Sequence, residues 1–313
     1  MEQQPSHRTL AFVGVTASAS SINDVFPRWA QILDLGPVRF EPLDLPLDSD
    51  ADTYRAVVHR IREDPGYSGA LVTTHKVRLL RAARDLFDDL DPYAELCGEV
   101  SCIAKHAGRL TGYAKDPITS GRALDDMVAE DHFRTTGGSA VCLGAGGSGL
   151  AIAVHLMTGR ARADRPGDIT LVDTDRDRLR ECRDVLTAIG TGDHTIEIVT
   201  SNDAADNDAV VATAPPGSLI VNATGMGKDR PGSPLTAAAV FPKRAVVWEL
   251  NYRGDRPFLQ QAYAQAETAL LTVEDGWRYF IHGWSEVIAE VFDVDVTPEV
   301  LEALSDEAAR LRS

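Results

Sequence analysis

The chain has 313 residues, 44% hydrophobic and 25% charged, the balance of a folded globular protein rather than a disordered one. That length suits two domains of ~100–200 residues each. Its 47 acids against 31 bases give a net charge of −16, which argues against binding nucleic acid or an anionic membrane, since both need concentrated positive charge.

No apolar run approaches the ~20 residues of a membrane helix. The opening MEQQPSHRT lacks the basic flank and apolar core of a signal peptide. Cys97, Cys102, Cys142 and Cys182 form no C-x-x-C pair. Free thiols in a reducing, cytoplasmic setting are therefore expected. None of the histidines, His7 and His194 included, has metal-ligand spacing to another histidine or to carboxylates.

Strand and helix patterns alternate along the chain, the sign of an α/β fold with parallel sheets. Thr9–Val15 is β-rich, and the cluster Ser18-Ala19-Ser20-Ser21 leads into a helical stretch ending near Gly36. Pro27 inside that stretch requires a kink or a helix start near Phe26. Val38–Leu45 reads as a strand, Thr53–Glu63 as a helix and Ala70–Thr74 as a strand. The last runs into His75-Lys76 and a helix from Val77 to about Phe87. Val100–Ala114, with its turn at His106-Ala107-Gly108, reads as a hairpin. A helix from about Thr119 to Ala129 bridges to a second block. There follow strand Ala140–Leu143, a helix to about Met157, strand Ile169–Asp173, helix Arg176–Ile189 and strands Thr195–Thr200, Leu219–Ala223 and Val246–Leu250. Residues 201–215 give the weakest pattern, and the tail from Gly276 is mostly helical.

Gly144-Ala145-Gly146-Gly147-Ser148-Gly149 matches G-x-G-x-x-G between a strand and a helix. That context points to a dinucleotide. The first glycine permits the tight turn, the second lets backbone approach the pyrophosphate, and the third lets helix and strand pack closely. The helix start offers N–H donors and a positive dipole end to the anion. Asp173 closes the next strand, where an acid accepts hydrogen bonds from ribose hydroxyls and repels the extra phosphate of NADP. NAD is therefore expected over NADP, although Arg176 and Arg178 lie close in sequence. Asn222-Ala223-Thr224 closes a further strand at the sheet edge where ligands bind.

In this order the motifs resemble the shikimate/quinate dehydrogenase family over essentially the whole chain. Ser18 and Ser20 resemble the family's S-x-S motif, which holds the substrate carboxylate. Val72-Thr73-Thr74-His75-Lys76 resembles the strand and loop that deliver its catalytic lysine. Gly98-Glu99-Val100-Ser101-Cys102 falls where the family has G-A-V-N-T. Gly112-Tyr113-Ala114-Lys115-Asp116 resembles G-x-N-T-D, whose aspartate is catalytic. Gly276-Trp277-Arg278-Tyr279-Phe280 falls at G-x-x-M-L. Several positions depart from the pattern. Ser21 replaces the usual proline, Ser101 and Ala114 replace asparagines that bind ring hydroxyls, and Gly283 stands where a glutamine is expected. Losing such amides implies a different substrate, because a site built for given hydroxyls discriminates strongly for them.

The resemblance implies an α/β fold of two domains. A substrate domain of residues 1–115 is completed by 276–313, and a Rossmann domain spans 116–275. It further implies hydride transfer between nicotinamide and a ring hydroxyl or ketone of a shikimate-like cyclic acid, a cyclitol or an aminocyclitol. Lys76 and Asp116 would act as a dyad. Lysine, with an ordinary pKa of about 10.4, can donate a proton to a forming alkoxide and must be partly neutral for the reverse reaction. Ser18, Ser20, Thr73, Ser101, Tyr279 and His282 would meet substrate. Gly144 to Gly149, Asp173, Asn222, Ala223, Thr224 and Gly276 would meet the cofactor. Lys115 and His75 flank the dyad and offer positive charge for an acidic substrate. Authentic shikimate or quinate oxidation, a methylene-tetrahydrofolate dehydrogenase and a non-catalytic dinucleotide-binding sensor are the alternatives. A homodimer is allowed for, and neither nucleic acid nor membrane is expected as a partner.

Overall fold

The computed structural model describes residues 8–160, 162–190, 195–228 and 230–312; the opening MEQQPSH, which includes His7, and His194 lie outside them. The chain divides into two compact units, Met1–Lys115 with Gly283–Ser313, and Asp116–His282. Residues 276–282 thus group with the second unit, not the first.

The first unit opens with strand β1 (Arg8–Gly14), helix α1 (Ile22–Ile32), β2 (Val38–Asp44), α2 (Ala51–Glu63), β3 (Tyr67–Val72) and α3 (Lys76–Ala83). Then come β4 (Asp89–Leu90), α4 (Pro92–Cys97) and the hairpin β5 (Cys102–His106) and β6 (Arg109–Tyr113). The strand order is β2-β1-β3-β5-β6-β4. This sheet is mixed rather than all parallel. β1 pairs in parallel with β2 and β3, while the hairpin inserts β5 antiparallel to both β3 and β6. Pro27 lies inside α1, which starts at Ile22 and not at Phe26. The helix keeps Ile22, Val25, Phe26 and Trp29 on one buried face, the i, i+3, i+4, i+7 stripe of an amphipathic helix. At the end of α2 the Lys105 ammonium donates to the carbonyls of Ile61 (2.8 Å), Arg62 (3.3 Å) and Asp64 (2.6 Å), a cation on carbonyls that the helix leaves unpaired.

The second unit holds α5 (Asp116–Asp125), α6 (His132–Thr136), β7 (Ala140–Leu143), α7 (Gly147–Thr158), β8 (Asp168–Asp173), α8 (Arg176–Ile189) and β9 (Thr195–Thr200). It continues through α9 (Ala204–Thr213), β10 (Leu219–Asn222), β11 (Val246–Glu249), α10 (Pro257–Ala269) and β12 (Thr272–Glu274). α11 (Trp277–Phe292) begins in this unit and ends in the first, and α12 (Pro298–Arg310) belongs to the first. The weakly patterned residues 201–215 form α9, capped by the Asp203 carboxylate, which accepts from the N–H groups of Ala205 and Asp206. The sheet runs β12-β11-β10-β7-β8-β9 with every pair parallel. Its order reverses between β7 and β10, the doubly wound arrangement with a ligand crevice at the switch point.

β7, β10 and β11 are buried along their whole length, as strands covered on both faces must be. All four cysteines are buried, and none forms a disulfide. Burial pushes the Cys142 thiol up to about 12 and the Cys102 thiol higher still.

Trp29 is fully buried, and its indole N–H donates to the Leu304 carbonyl of α12 at 2.8 Å. Trp29→Ala is expected to lower unfolding free energy by about 3–5 kcal/mol. A shifted urea midpoint at constant slope would register it.

Candidate active site

In the second unit, β7 delivers the glycine turn to the switch point. Gly144 has φ +103°, and a Cβ there would lie 2.7 Å from the carbonyl carbon of Ala223, which follows β10. A Cβ on Gly149 would lie 2.0 Å from the Gly144 carbonyl oxygen. Both positions therefore require glycine. A Cβ on Gly146 would meet nothing within 4 Å. Gly146 is also the N-cap of α7 and supplies no side-chain cap, which leaves the first N–H groups of the helix without that partner. Open space before donors and a positive dipole end is the chemistry that a pyrophosphate requires, so these residues fit a dinucleotide.

The Asp173 carboxylate is engaged with this turn. It accepts from the Ala145 N–H at 2.7 Å and from the Asp175 N–H at 3.0 Å. The Arg178 Nε donates to the Ala145 carbonyl at 2.8 Å, holding the same residue from its other side.

Asn222, expected at the cofactor, is occupied within the protein. Its side chain is fully buried, and its amide donates to Glu249 Oε2 at 2.7 Å. Its Oδ1 accepts from the N–H (3.2 Å) and hydroxyl (2.6 Å) of Thr224. Asn222 therefore shapes the loop that carries Thr224. Gly276 is a packing glycine, since a Cβ there would lie 1.9 Å from the Leu250 carbonyl oxygen.

Glu249 and Asn251 were missed by the sequence reading; the only signal was an acid ending the apolar run Val246-Val247-Trp248. Glu249 is fully buried, with Oε1 accepting from the Asn251 N–H at 2.9 Å and amide at 2.7 Å. Burial pushes this carboxyl up to about 7, against the opposing pull of those donors and of Arg256.

Asp116, the first residue of α5, is buried. Its Oδ2 accepts from the Tyr279 hydroxyl at 2.7 Å and from the Ser148 hydroxyl at 3.4 Å. The structure thus joins the aspartate, the glycine turn and the start of α11 in one polar cluster. Tyr279 packs edge-on against Trp248, ring centroids 6.0 Å apart. His282 is buried and pairs with Asp126 at 2.9 Å.

In the first unit, Lys76 begins α3 after the Thr73-Thr74-His75 loop, its N–H bonded to the Thr73 carbonyl at 3.0 Å. His75 is buried. Its Nε2 donates to the Leu45 carbonyl at 3.0 Å, and its Nδ1 is hydrogen-bonded to the Tyr54 hydroxyl at 2.8 Å. The Thr73 hydroxyl lies 3.3 Å from the Val13 carbonyl. Ser18 donates to Asp44 through its N–H at 2.9 Å and through its hydroxyl. The Asn23 amide ties the carbonyls of Ala17 (2.9 Å), Ser18 (3.2 Å) and Ser20 (2.7 Å), and Ser20 is buried. Ser101, expected to meet substrate, has a backbone partner. It is 3% exposed, and its hydroxyl accepts from the Lys115 N–H at 2.8 Å, so it fastens the hairpin. The Lys115 ammonium pairs with Glu290 at 2.6 Å and Glu286 at 3.5 Å. Among the described residues, no group of His, Cys, Asp and Glu side chains could hold a metal ion.

The fold and the glycine turn define a two-unit α/β protein with a Rossmann sheet in its second unit. No protein-family model matches the chain. It is 31% identical over 198 residues to the shikimate dehydrogenase (NADP(+)) of Symbiobacterium thermophilum, covering 62% of this chain and 61% of that one. It is 28% identical over 254 residues to the enzyme of the same name from Haloarcula marismortui, covering 80% of each. Two solved structures share the fold. Shikimate 5-dehydrogenase of Thermus thermophilus, in complex with NADP(H) and shikimate, aligns with a TM-score of 0.69 and 22% identity over 96% of this chain and 99% of that one. The 5-ketofructose reductase of Gluconobacter sp. strain CHM43 aligns with a TM-score of 0.64 and 20% identity over 96% and 98%. The chain is thus similar in sequence to curated shikimate dehydrogenases and shares the two-unit fold of the solved ones, and it spans 61% of the length of the Symbiobacterium relative.

The Glu249 carboxyl carries a pH signature. Its folded pKa of about 7 exceeds the ordinary 4.5, so folding takes up a proton between those values. The associated stability is complete below the ordinary value and is lost as pH rises through about 7. Glu249→Gln removes this dependence. From pH 5 to pH 8 the variant's unfolding free energy is expected to gain about 2–3 kcal/mol relative to wild type, by denaturant unfolding at each pH. A constant difference would refute the assignment.

Proposed function

We propose that the chain is a nicotinamide-dinucleotide-dependent oxidoreductase acting on a ring hydroxyl or ketone of a shikimate-like cyclic acid, a cyclitol or an aminocyclitol. The observation that carries this reading is the open Gly146 turn at the switch point, with the buried Asp116 carboxylate joined to it through Ser148. The similarity to shikimate dehydrogenases supports it. The 5-ketofructose reductase of the same fold is named for a sugar ketone, so the fold is compatible with substrates that are not ring acids.

The first N–H groups of α7 would hold the pyrophosphate, and Gly144 to Gly149 would line it. Bound there, the nicotinamide would accept or give the hydride. Lys76 would move the accompanying proton to or from the substrate oxygen. Asp116 would orient that ammonium and favour its charged form. Tyr279 and Ser148 would fix the Asp116 carboxylate, which makes Tyr279 a positioning residue more than a substrate ligand.

For the particular dinucleotide, two arguments pull apart. The Symbiobacterium and Haloarcula relatives carry NADP(+) in their names, which favours the phosphorylated form. In this chain the strand end beside the turn bears a carboxylate, Asp173, whose charge opposes a 2′-phosphate. We take the residue as the guide and propose NAD. The four buried thiols, none in a disulfide, support a reducing compartment such as the cytoplasm.

Lys76→Ala is expected to abolish turnover by at least 10²-fold while dinucleotide affinity, read by NADH fluorescence, stays unchanged. Unaltered turnover would remove Lys76 from the chemistry. Titration of wild type should give tighter binding of NADH than NADPH, and Asp173→Ala should narrow the gap. A wild-type preference for NADPH would reverse the role given to Asp173. Tyr279→Phe should lower kcat with little change in dinucleotide affinity.

A further inference from the structure

We infer that the substrate bears no carboxylate at the Ser18 loop and is a neutral or cationic cyclic polyol, a cyclitol or an aminocyclitol. This deepens the oxidoreductase reading and rests on it. Ser18, Lys115 and His75 are three of the groups in the first unit that the sequence offers to an acid, and each has an internal partner.

Ser18 donates both its N–H and its hydroxyl to one acceptor, the Asp44 carboxylate. These bonds hold Asp44 below the ordinary carboxylate range, so it is ionised at neutral pH. The loop is built around that pair, because the Asn23 amide gathers three of its carbonyls. A substrate carboxylate reaching for Ser18 would meet a negative charge already holding the same donors. The Lys115 charge is matched by Glu290 and Glu286, and that pairing keeps the ammonium charged but balanced. His75 is buried with one ring nitrogen on the Leu45 carbonyl and the other on the Tyr54 hydroxyl, so both are already occupied within the unit.

The polar equipment points the same way. Ser101 and Ala114 stand where amides would bind ring hydroxyls, and the Ser101 hydroxyl serves the backbone. An acid reaching the Ser18 loop meets the Asp44 carboxylate, whereas a polyol or an amine meets an acceptor there.

The experiment compares myo-inositol, scyllo-inosamine, shikimate and quinate as substrates of the wild-type protein with NAD and NADP. In parallel, calorimetry measures shikimate binding to wild type and to Asp44→Asn, whose folding is checked by its melting temperature. The expected result is a kcat/KM at least ten-fold higher for the cyclitol or the aminocyclitol than for either acid. Asp44→Asn is expected to tighten shikimate binding about five-fold, the effect of one like charge ~4 Å away in a water-rich site.

Preference for shikimate or quinate overturns the inference. So does failure of all four substrates in a protein that binds dinucleotide, and so does Asp44→Asn binding shikimate no better than wild type. Absence of any dinucleotide binding overturns the oxidoreductase reading itself and this inference with it. Acid preference with dinucleotide binding intact overturns only the choice of substrate class.

Discussion

The second unit depends on one steric constraint, the close approach of the backbone after β7 to the backbone after β10. Gly144 touches the peptide of Ala223 closely enough to exclude any side chain. The contact sits where the strand order reverses. It brings the glycine turn, the Thr224 loop and the start of α7 to one edge of the sheet. Gly149 repeats the constraint one turn later by packing under the Gly144 carbonyl. Gly146 is free of such contacts, so of the three glycines of the G-x-G-x-x-G pattern two pack and one leaves space.

Around this steric frame the polar groups satisfy one another. Asn222 and Glu249 sit at the ends of adjacent strands and bond directly, so two buried polar side chains brace the loops beyond them. An unpartnered buried amide or carboxyl would cost several kcal/mol; paired, the two fix the sheet edge. Ser18 with Asp44, and Ser101 with the Lys115 backbone, do the same work in the first unit. Residues that look like ligand donors in sequence are partly scaffold donors in space.

The fold was legible because hydrophobic runs and turn residues mark α/β elements strongly. Strand Ala140–Leu143, helix Arg176–Ile189 and strand Thr195–Thr200 match the reading residue for residue. The mixed first sheet was half visible: the turn at His106-Ala107-Gly108 implied a hairpin, but nothing local shows which neighbour a hairpin joins. α9 was obscured because its small and acidic residues carry little helical periodicity, and its Asp203 cap had to be seen to be counted. The glycine turn could be read because each glycine has a separate steric reason. The partners of Asp116 and of Glu249 could not, since such pairings join residues far apart in the chain, 163 positions for Asp116 and Tyr279. The backbone partner of Ser101 was hidden for the same reason, because a hydroxyl facing its own backbone and one facing a ligand have the same one-letter code.

The thiols lead to a separate consequence. Cys97 and Cys102 lie in the first unit and Cys142 and Cys182 in the second, all buried and none in a disulfide. Thiolate is the reactive form, and burial suppresses it at Cys102 and Cys142. An alkylating reagent therefore reaches these sulfurs when the surrounding packing opens. Followed peptide by peptide, the rate of labelling becomes a clock for breathing of each half of the polypeptide, built from cysteines that the native chain already contains.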